Sequence, residues 1–371
     1  MKQYIPTPSP HTHGSLSVAR IMLTVWLALL PASLYAIYLF GWPVLNLLLL
    51  TAATALLAEA ATLWLAGKDI RRGIGDGSGL LTAWLLAMTL PPWAPWWIAV
   101  VGALFAVVVG KQVFGGIGQN LFNPAMLGRV ALLIAFPLEM TTWVSPQPLF
   151  SAGAPSFLDG LAITFVGVPN IDALSGATVL GQMKTELGRG VPLEAILPGI
   201  FTLQQGAVGE MRGSLGETSA LLILGGGLFL LLRRLITWHI PVAMLGSVAL
   251  LSTLMHLIDP ARYADAPLHL LSGGLMLGAF FIATDPVGSP SSPRGQLLFG
   301  AACGALIYII RTWAGFPEGV AFAVLLMNAA TPLIDHYLRP RIYGRDREGK
   351  PLDYSRGAFA RRLERYQGRR P

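Results

Sequence analysis

The sequence predicts an all-α polytopic membrane protein: about ten transmembrane helices as two inverted five-helix repeats, with one long external loop between them. Three observations predict it. Mean hydropathy is +0.60, with 54% hydrophobic and only 12% charged residues, and apolar runs long enough to cross a bilayer recur along the chain. Lys and Arg are divided unevenly between alternate connections. A thirteen-residue pattern also occurs twice, once in each half.

The apolar runs are 17–40, 43–66, 79–97, 98–114 and 124–137, then 219–235, 241–258, 268–285, 295–313 and 317–338. The first follows Pro6, Pro8, Pro10 and two histidines and lacks a small-residue cleavage site, so it is expected to be a retained span. The third and fourth are separated by Pro91-Pro92-Trp93-Ala94-Pro95-Trp96-Trp97, an expected interfacial turn with its indoles at headgroup level. The chain thus divides into a first membrane half (1–137), a polar external loop (138–218), a second membrane half (219–338) and a basic tail (339–371).

Charge sets the expected orientation. With both termini inside, 21 of the 26 Lys and Arg fall on the inner side, eleven of them from Arg339 to Arg370. Lys184, Arg189, Arg212, Arg262 and Arg311 fall outside. This places both termini in the cytoplasm and the 138–218 loop, with three basic and seven acidic residues, outside the membrane. In a Gram-negative source that means the inner membrane and the periplasm. The net charge of +7 is concentrated in the tail, which suits anionic lipid headgroups rather than nucleic acid.

The repeated pattern runs from Gly79 through Thr89 to Pro91, and again from Gly274 through Thr284 to Pro286. An odd number of spans per half would set the two copies in opposite orientation. Short, Gly- and Pro-interrupted spans at matching positions point to a site near the membrane midplane.

Several chemistries are excluded on this chain alone. The single cysteine, Cys303, lies in an apolar run and allows neither an internal disulfide nor a cysteine-held cluster. No nucleotide-binding glycine fingerprint, Walker sequence, His-Glu-x-x-His or Cys-x-x-Cys is found. No residue is assigned to catalysis or to a metal.

Four polar features stand out. Asp172-Ala-Leu-Ser175-Gly176-Ala177-Thr178 is a small-residue stretch in the long loop, with two hydroxyls three residues apart. Gly115 to Arg129 offers close-approaching glycines, the amides of Asn120 and Asn123, and Pro124 at an expected first helical turn capped by Asn123. A ligand-facing helix start and an ordinary capped helix with Arg129 at headgroup level use the same residues. Thr284-Asp285-Pro286 ends an apolar run with a carboxylate, which the helix dipole disfavours unless it finds a partner such as Arg294 or a ligand hydroxyl. Glu59 is an intramembrane carboxylate near the inner end of its run. His239, His256 and His269 flank apolar runs and are expected at the interface.

Asp172-x-x-Ser175-Gly176-Ala177-Thr178 resembles the flavin-attachment motif of the family that holds the Rnf electron-transport D subunit and the B subunit of the sodium-pumping NADH:quinone oxidoreductase. The resemblance covers nearly the whole chain, including the Gly-x-Gly-x-Asn-x-Phe-Asn-Pro-Ala-x-x-Gly-Arg stretch to Arg129 and Thr284-Asp285-Pro286. It implies that the Thr178 hydroxyl is esterified to the phosphate of FMN by a flavin transferase that uses FAD. It also implies a second, non-covalent flavin (riboflavin) nearer the inner face, expected here beside the 118–129 and 284–294 elements. The fold implied is two inverted five-helix halves, similar to urea-transporter-like proteins. The partners implied are the membrane and peripheral iron–sulfur and flavin subunits of an ion-translocating complex moving Na⁺ or H⁺. The short N-terminal tail is closer to the D subunit than to the B subunit. A flavin-free solute channel or transporter on the same scaffold is the alternative.

Overall fold

The computed structural model describes residues 17–151, 153–167 and 175–340. In the first half, α1 (Val18–Phe40) is capped by the Ser17 hydroxyl, which accepts from Arg20 N at 3.2 Å. It is followed by α2 (Trp42–Leu65) and the short α3 (Ile70–Ile74). Next come α4 (Ser78–Met88) and α5 (Trp96–Leu104), which runs on as a π-helix over Phe105–Gln112. α6 (Pro124–Ala135) starts as the sequence predicts: Pro124 occupies the first turn and Asn123 Oδ1 accepts from Met126 N at 3.2 Å.

The polar loop folds onto this half through α7 (Pro137–Met140), β1 (Trp143–Val144), α8 (Phe157–Phe165), β2 (Ser175–Gly176), α9 (Val179–Gly188), α10 (Leu193–Ile200) and α11 (Leu203–Val208). A 3₁₀ turn at Leu215–Glu217 leads into the second half. There, α12 (Ala220–Leu232), α13 (His239–Ile258) and α14 (Ala266–Leu271) precede α15 (Leu275–Leu277), which continues as a π-helix over Gly278–Ile282. α16 (Pro293–Trp313) and α17 (Val320–Tyr337) complete the described chain.

Among the described residues, α1, α2, α13, α16 and α17 are long and apolar enough to cross a bilayer by length and composition. Ser78–Met88, Trp96–Gln112, Pro124–Ala135 and Ala220–Leu232 are apolar but shorter. Two predicted spans need correction. The 79–97 run is helical only to Met88, because Pro91, Pro92 and Pro95 lack the N–H groups that a continuing helix needs. The turn there is not wholly interfacial either: Trp93 is buried and donates to Phe40 O at 3.0 Å.

The 268–285 run is broken at Ser272–Gly274, where Gly273 takes φ +69°. The carbonyls freed by this break are served by a side chain. Arg311 Nη1 donates to His269 O at 2.7 Å and Nη2 to Ser272 O at 3.0 Å. His269 is accordingly buried in the break, not placed at the interface.

The two copies of the repeated pattern share a local arrangement. Each ends on a threonine whose hydroxyl donates to its own helix, Thr89 to Leu86 O and Thr284 to Phe280 O, both at 2.7 Å. Each also opens on glycine beside an ion pair. Gly79 lies against Glu59, which pairs with Lys111, and the Gly274 amide donates to Glu318, which pairs with Arg311 at 2.9 Å.

One apolar core runs through both halves, and a smaller one of Leu180, Met183, Leu193, Ala264 and Leu268 fastens α9 and α10 to the start of α14.

Candidate functional site

In the loop, β1 and β2 pair antiparallel, Trp143 opposite Gly176 and Val144 opposite Ser175, so a two-residue ladder fixes the approach to Thr178. Thr178 is the N-cap of α9, and its Oγ1 accepts from Gly181 N at 3.1 Å. The N-terminal amides and the helix dipole make this end of α9 favourable for negative charge. Although Ala177 is exposed, Thr178 is only 8% exposed, so the hydroxyl is less open than the loop position implied. Asp172 lies outside the described residues.

Two basic residues missed by the motif define this site. Arg212 Nε donates to Ser145 Oγ at 2.8 Å, directly after β1, and the guanidinium lies flat against Gly176. A Cβ at Gly176 would stand 2.7 Å from Arg212 Cζ, which is the physical reason for glycine at that place in the motif. Ala177, Val179 and Gln182 then line a cleft of about 230 Å³ with Ser145, Arg212 and Glu210. Lys184, on α9, reaches across to the end of α16 and donates to the carbonyls of Ile310 (3.3 Å), Arg311 (3.2 Å), Phe316 (3.2 Å) and Ala314. Burial holds its ammonium below the ordinary lysine value.

Beneath the loop, Glu217 accepts from Ser214 Oγ at 2.9 Å. Burial first, then the neighbouring Glu318 carboxylate, push its carboxyl up to about 7, against the opposing pull of Arg129.

At the other end of the bundle, the structure brings Asn120, Asn123, Thr284 and Asp285 into one cavity with Ser78, Thr82 and Lys111, walled by Leu85, Leu230, Phe280 and Phe281. Asn123 joins the halves: its N–H donates to Asn328 Oδ1 at 3.0 Å, while Asn328 Nδ2 donates to Gly288 O at 2.9 Å. Asp285 does not pair with Arg294. Its Oδ1 accepts from Val287 N at 3.4 Å, so the turn's own backbone supplies the partner the carboxylate needed. Thr284 is likewise turned back onto Phe280 O.

Arg129 belongs to neither the cavity nor the headgroup level. It is buried on α6 with its guanidinium 5.8 Å from the Trp143 ring and 3.9 Å from Met140 Sδ, beneath β1. A helix carries Arg129 more than a turn beyond Asn123, away from the end at which Asn120 and Asn123 face the cavity.

Glu59 is not a hydrated carboxylate. It is buried and bonded to Lys111 on the π-helix, and Gln112 Nε2 donates to its Oε1 at 2.9 Å. Lys111 also reaches Ser78 Oγ at 2.5 Å, and Ser78 donates to Asp76. Gly79 leaves room for this: a Cβ there would stand 3.1 Å from Glu59 Cδ. Among the described residues no cluster of His, Cys, Asp and Glu could hold a metal ion.

Comparison with known proteins agrees with this architecture. Over 336 residues the chain is 60% identical to the D subunit of the ion-translocating oxidoreductase complex of Stutzerimonas stutzeri, covering 91% of this chain and 95% of the relative. It is 54% identical over 347 residues to the same subunit of Halorhodospira halophila, covering 94% and 97%. It is 44% identical over 347 residues to that of Escherichia coli (strain SE11), covering 91% and 97%. Residues 5–344 match the model of one family, and the chain therefore belongs to the NQR2, RnfD, RnfE family.

Proposed function

We propose that the chain is the D subunit of an ion-translocating ferredoxin:NAD⁺ oxidoreductase complex of the Rnf type, carrying FMN covalently on Thr178. Its relatives of similar length carry the name of that subunit. The observation that carries the flavin reading is the setting of Thr178, with its hydroxyl at the N-terminus of α9 and the Arg212 guanidinium two residues away on Gly176. A phosphate ester formed there would meet helix amides, a cation and an adjoining cleft, so the residues fit the group.

In the attachment step, the Thr178 oxygen attacks the phosphorus on the FMN side of FAD. The phosphoanhydride bond breaks, AMP leaves, and the hydroxyl proton passes to a base of the transferase. Because Thr178 is buried and caps α9, this step requires α9 to be away from its docked position. A bound flavin supplies single-electron transfer, while the protein sets its position and surroundings.

The inner cavity supports the second, non-covalent flavin. Its walls are mostly apolar, and the amides of Asn120 and Asn123 with Ser78, Thr82 and Asp285 offer polar groups at its edge. Coupling to Na⁺ or H⁺, the inner-membrane setting with a periplasmic loop, and assembly with iron–sulfur and flavin subunits complete the reading.

The test is mass measurement of the chain after co-expression with the flavin transferase, together with ultraviolet viewing of a denaturing gel. The expected result is an added FMN less water and a fluorescent band, both abolished by Thr178→Val with membrane insertion retained. A dark wild-type band of unmodified mass overturns the flavin reading and leaves the solute-channel alternative. Label retained in Thr178→Val moves the attachment elsewhere, to Ser175 first.

A further inference from the structure

We infer that Arg212 is the residue that docks the flavin phosphate, fixing the cofactor against the β1–β2 ladder after attachment. The inference rests on the assignment of FMN to Thr178 and adds to it a specific partner.

The argument starts from the guanidinium. Arg212 has five N–H donors, and only Nε is engaged, by Ser145 Oγ at 2.8 Å. Among the described residues no carboxylate pairs with it. Its Nη groups lie over Gly176 and line the same cleft as Ala177 and Val179, the residues on either side of Thr178. A forked donor pair with no acceptor, fixed beside the attachment residue, matches two oxygens of a phosphate bearing negative charge. The orientation is built in. Ser145 fixes one edge of the guanidinium, and the absence of a side chain at Gly176 lets its plane lie against the backbone.

Glu210, the one carboxylate lining the cleft, disfavours an anion near itself and so confines the phosphate to the Arg212 side. The amides at the start of α9 complete the docking from the other direction.

A plain structural role makes a different prediction. If Arg212 only braces the loop through Ser145, breaking that hydrogen bond should be as harmful as removing the arginine. The experiment therefore compares Arg212→Gln, Arg212→Lys and Ser145→Ala in the full chain, co-expressed with the flavin transferase and purified with its complex. In-gel fluorescence gives the amount of covalent flavin. Acrylamide, a neutral quencher, gives the fraction of that flavin which is undocked.

Arg212→Gln is expected to raise the ratio of undocked to docked flavin by about tenfold, the scale of one charge-assisted hydrogen bond lost. Arg212→Lys, which keeps the charge and loses the fork, should fall between Gln and wild type. Ser145→Ala should stay near wild type.

A wild-type chain without covalent flavin overturns the Thr178 assignment and this one with it. A labelled wild type whose accessible fraction is unchanged in every Arg212 variant that assembles overturns the Arg212 assignment alone. The same holds if Ser145→Ala matches the arginine variants.

Discussion

Replacing Lys111 by Met would strand a carboxylate inside the bundle. The Lys111 and Glu59 side chains are 3% and 2% exposed, so neither charge has water to fall back on. Without the ammonium, Glu59 Oε1 keeps only the Gln112 amide at 2.9 Å, and Oε2 already lacks a partner. Gly79 and its neighbours close one side of the carboxylate, which limits escape by rotation. Breaking one partner of a buried pair costs about 3–5 kcal/mol, whereas replacing both by neutral groups of similar size recovers most of that. Taking about 2 °C per kcal/mol for a chain of this size, the melting temperature of detergent-purified Lys111→Met should fall by about 6–10 °C. The double variant Glu59→Gln/Lys111→Met should regain most of the loss. A fall below about 2 °C in the single variant, or a double variant no more stable than the single one, would refute the reasoning.

Asn328→Leu keeps the volume but removes the acceptor for Asn123 N and one donor to Gly288 O, where the Thr331 hydroxyl still donates at 2.9 Å. We expect a loss of about 1–3 kcal/mol in thermal unfolding, and an unchanged melting temperature would show that Asn328 does not join the halves as described. Lys184→Met removes the donor to four carbonyls around the end of α16. Amide hydrogen exchange over residues 179–188 should quicken about tenfold, and unaltered exchange would refute the anchoring role.

Glu217 makes the pH prediction. Its folded carboxyl titrates at about 7 against an ordinary 4.5, so the folded chain binds more protons than the unfolded one between these values. Stability from this group is therefore fully present below about pH 4.5 and falls as pH rises through 7, by at most about 3 kcal/mol. Melting temperatures of wild type and Glu217→Gln across that window should diverge with rising pH, the Gln variant losing less. Parallel profiles would exclude the linkage.

Local features of the fold were legible because they depend on neighbours in sequence. The apolar runs mark the helices of both halves. Asn123-Pro124 marks the start of α6, since a cap and a first-turn proline act within a few residues. The two errors of extent have one cause: composition shows that a segment is apolar, not that its backbone is continuous. The prolines after Met88 could have been weighed as a stop, but the break at Ser272–Gly274 relies on Arg311, forty residues on, to satisfy its carbonyls.

The candidate site divides along the same line. By itself the sequence determined a membrane-embedded helical chain, a polar loop, and a small-residue motif ending in Thr178, because hydropathy and motif spacing are properties of consecutive residues. Only the tertiary structure decided that Arg212 lies against Gly176, that Lys184 ties α9 to α16, and that Glu59 is neutralised by Lys111. It also gathered Asn120, Asn123, Thr284 and Asp285 into one cavity while carrying Arg129 away to Trp143. These contacts join residues tens to hundreds of positions apart. Each arises because a buried charge or amide must find a partner in space, and no local pattern records which one it finds.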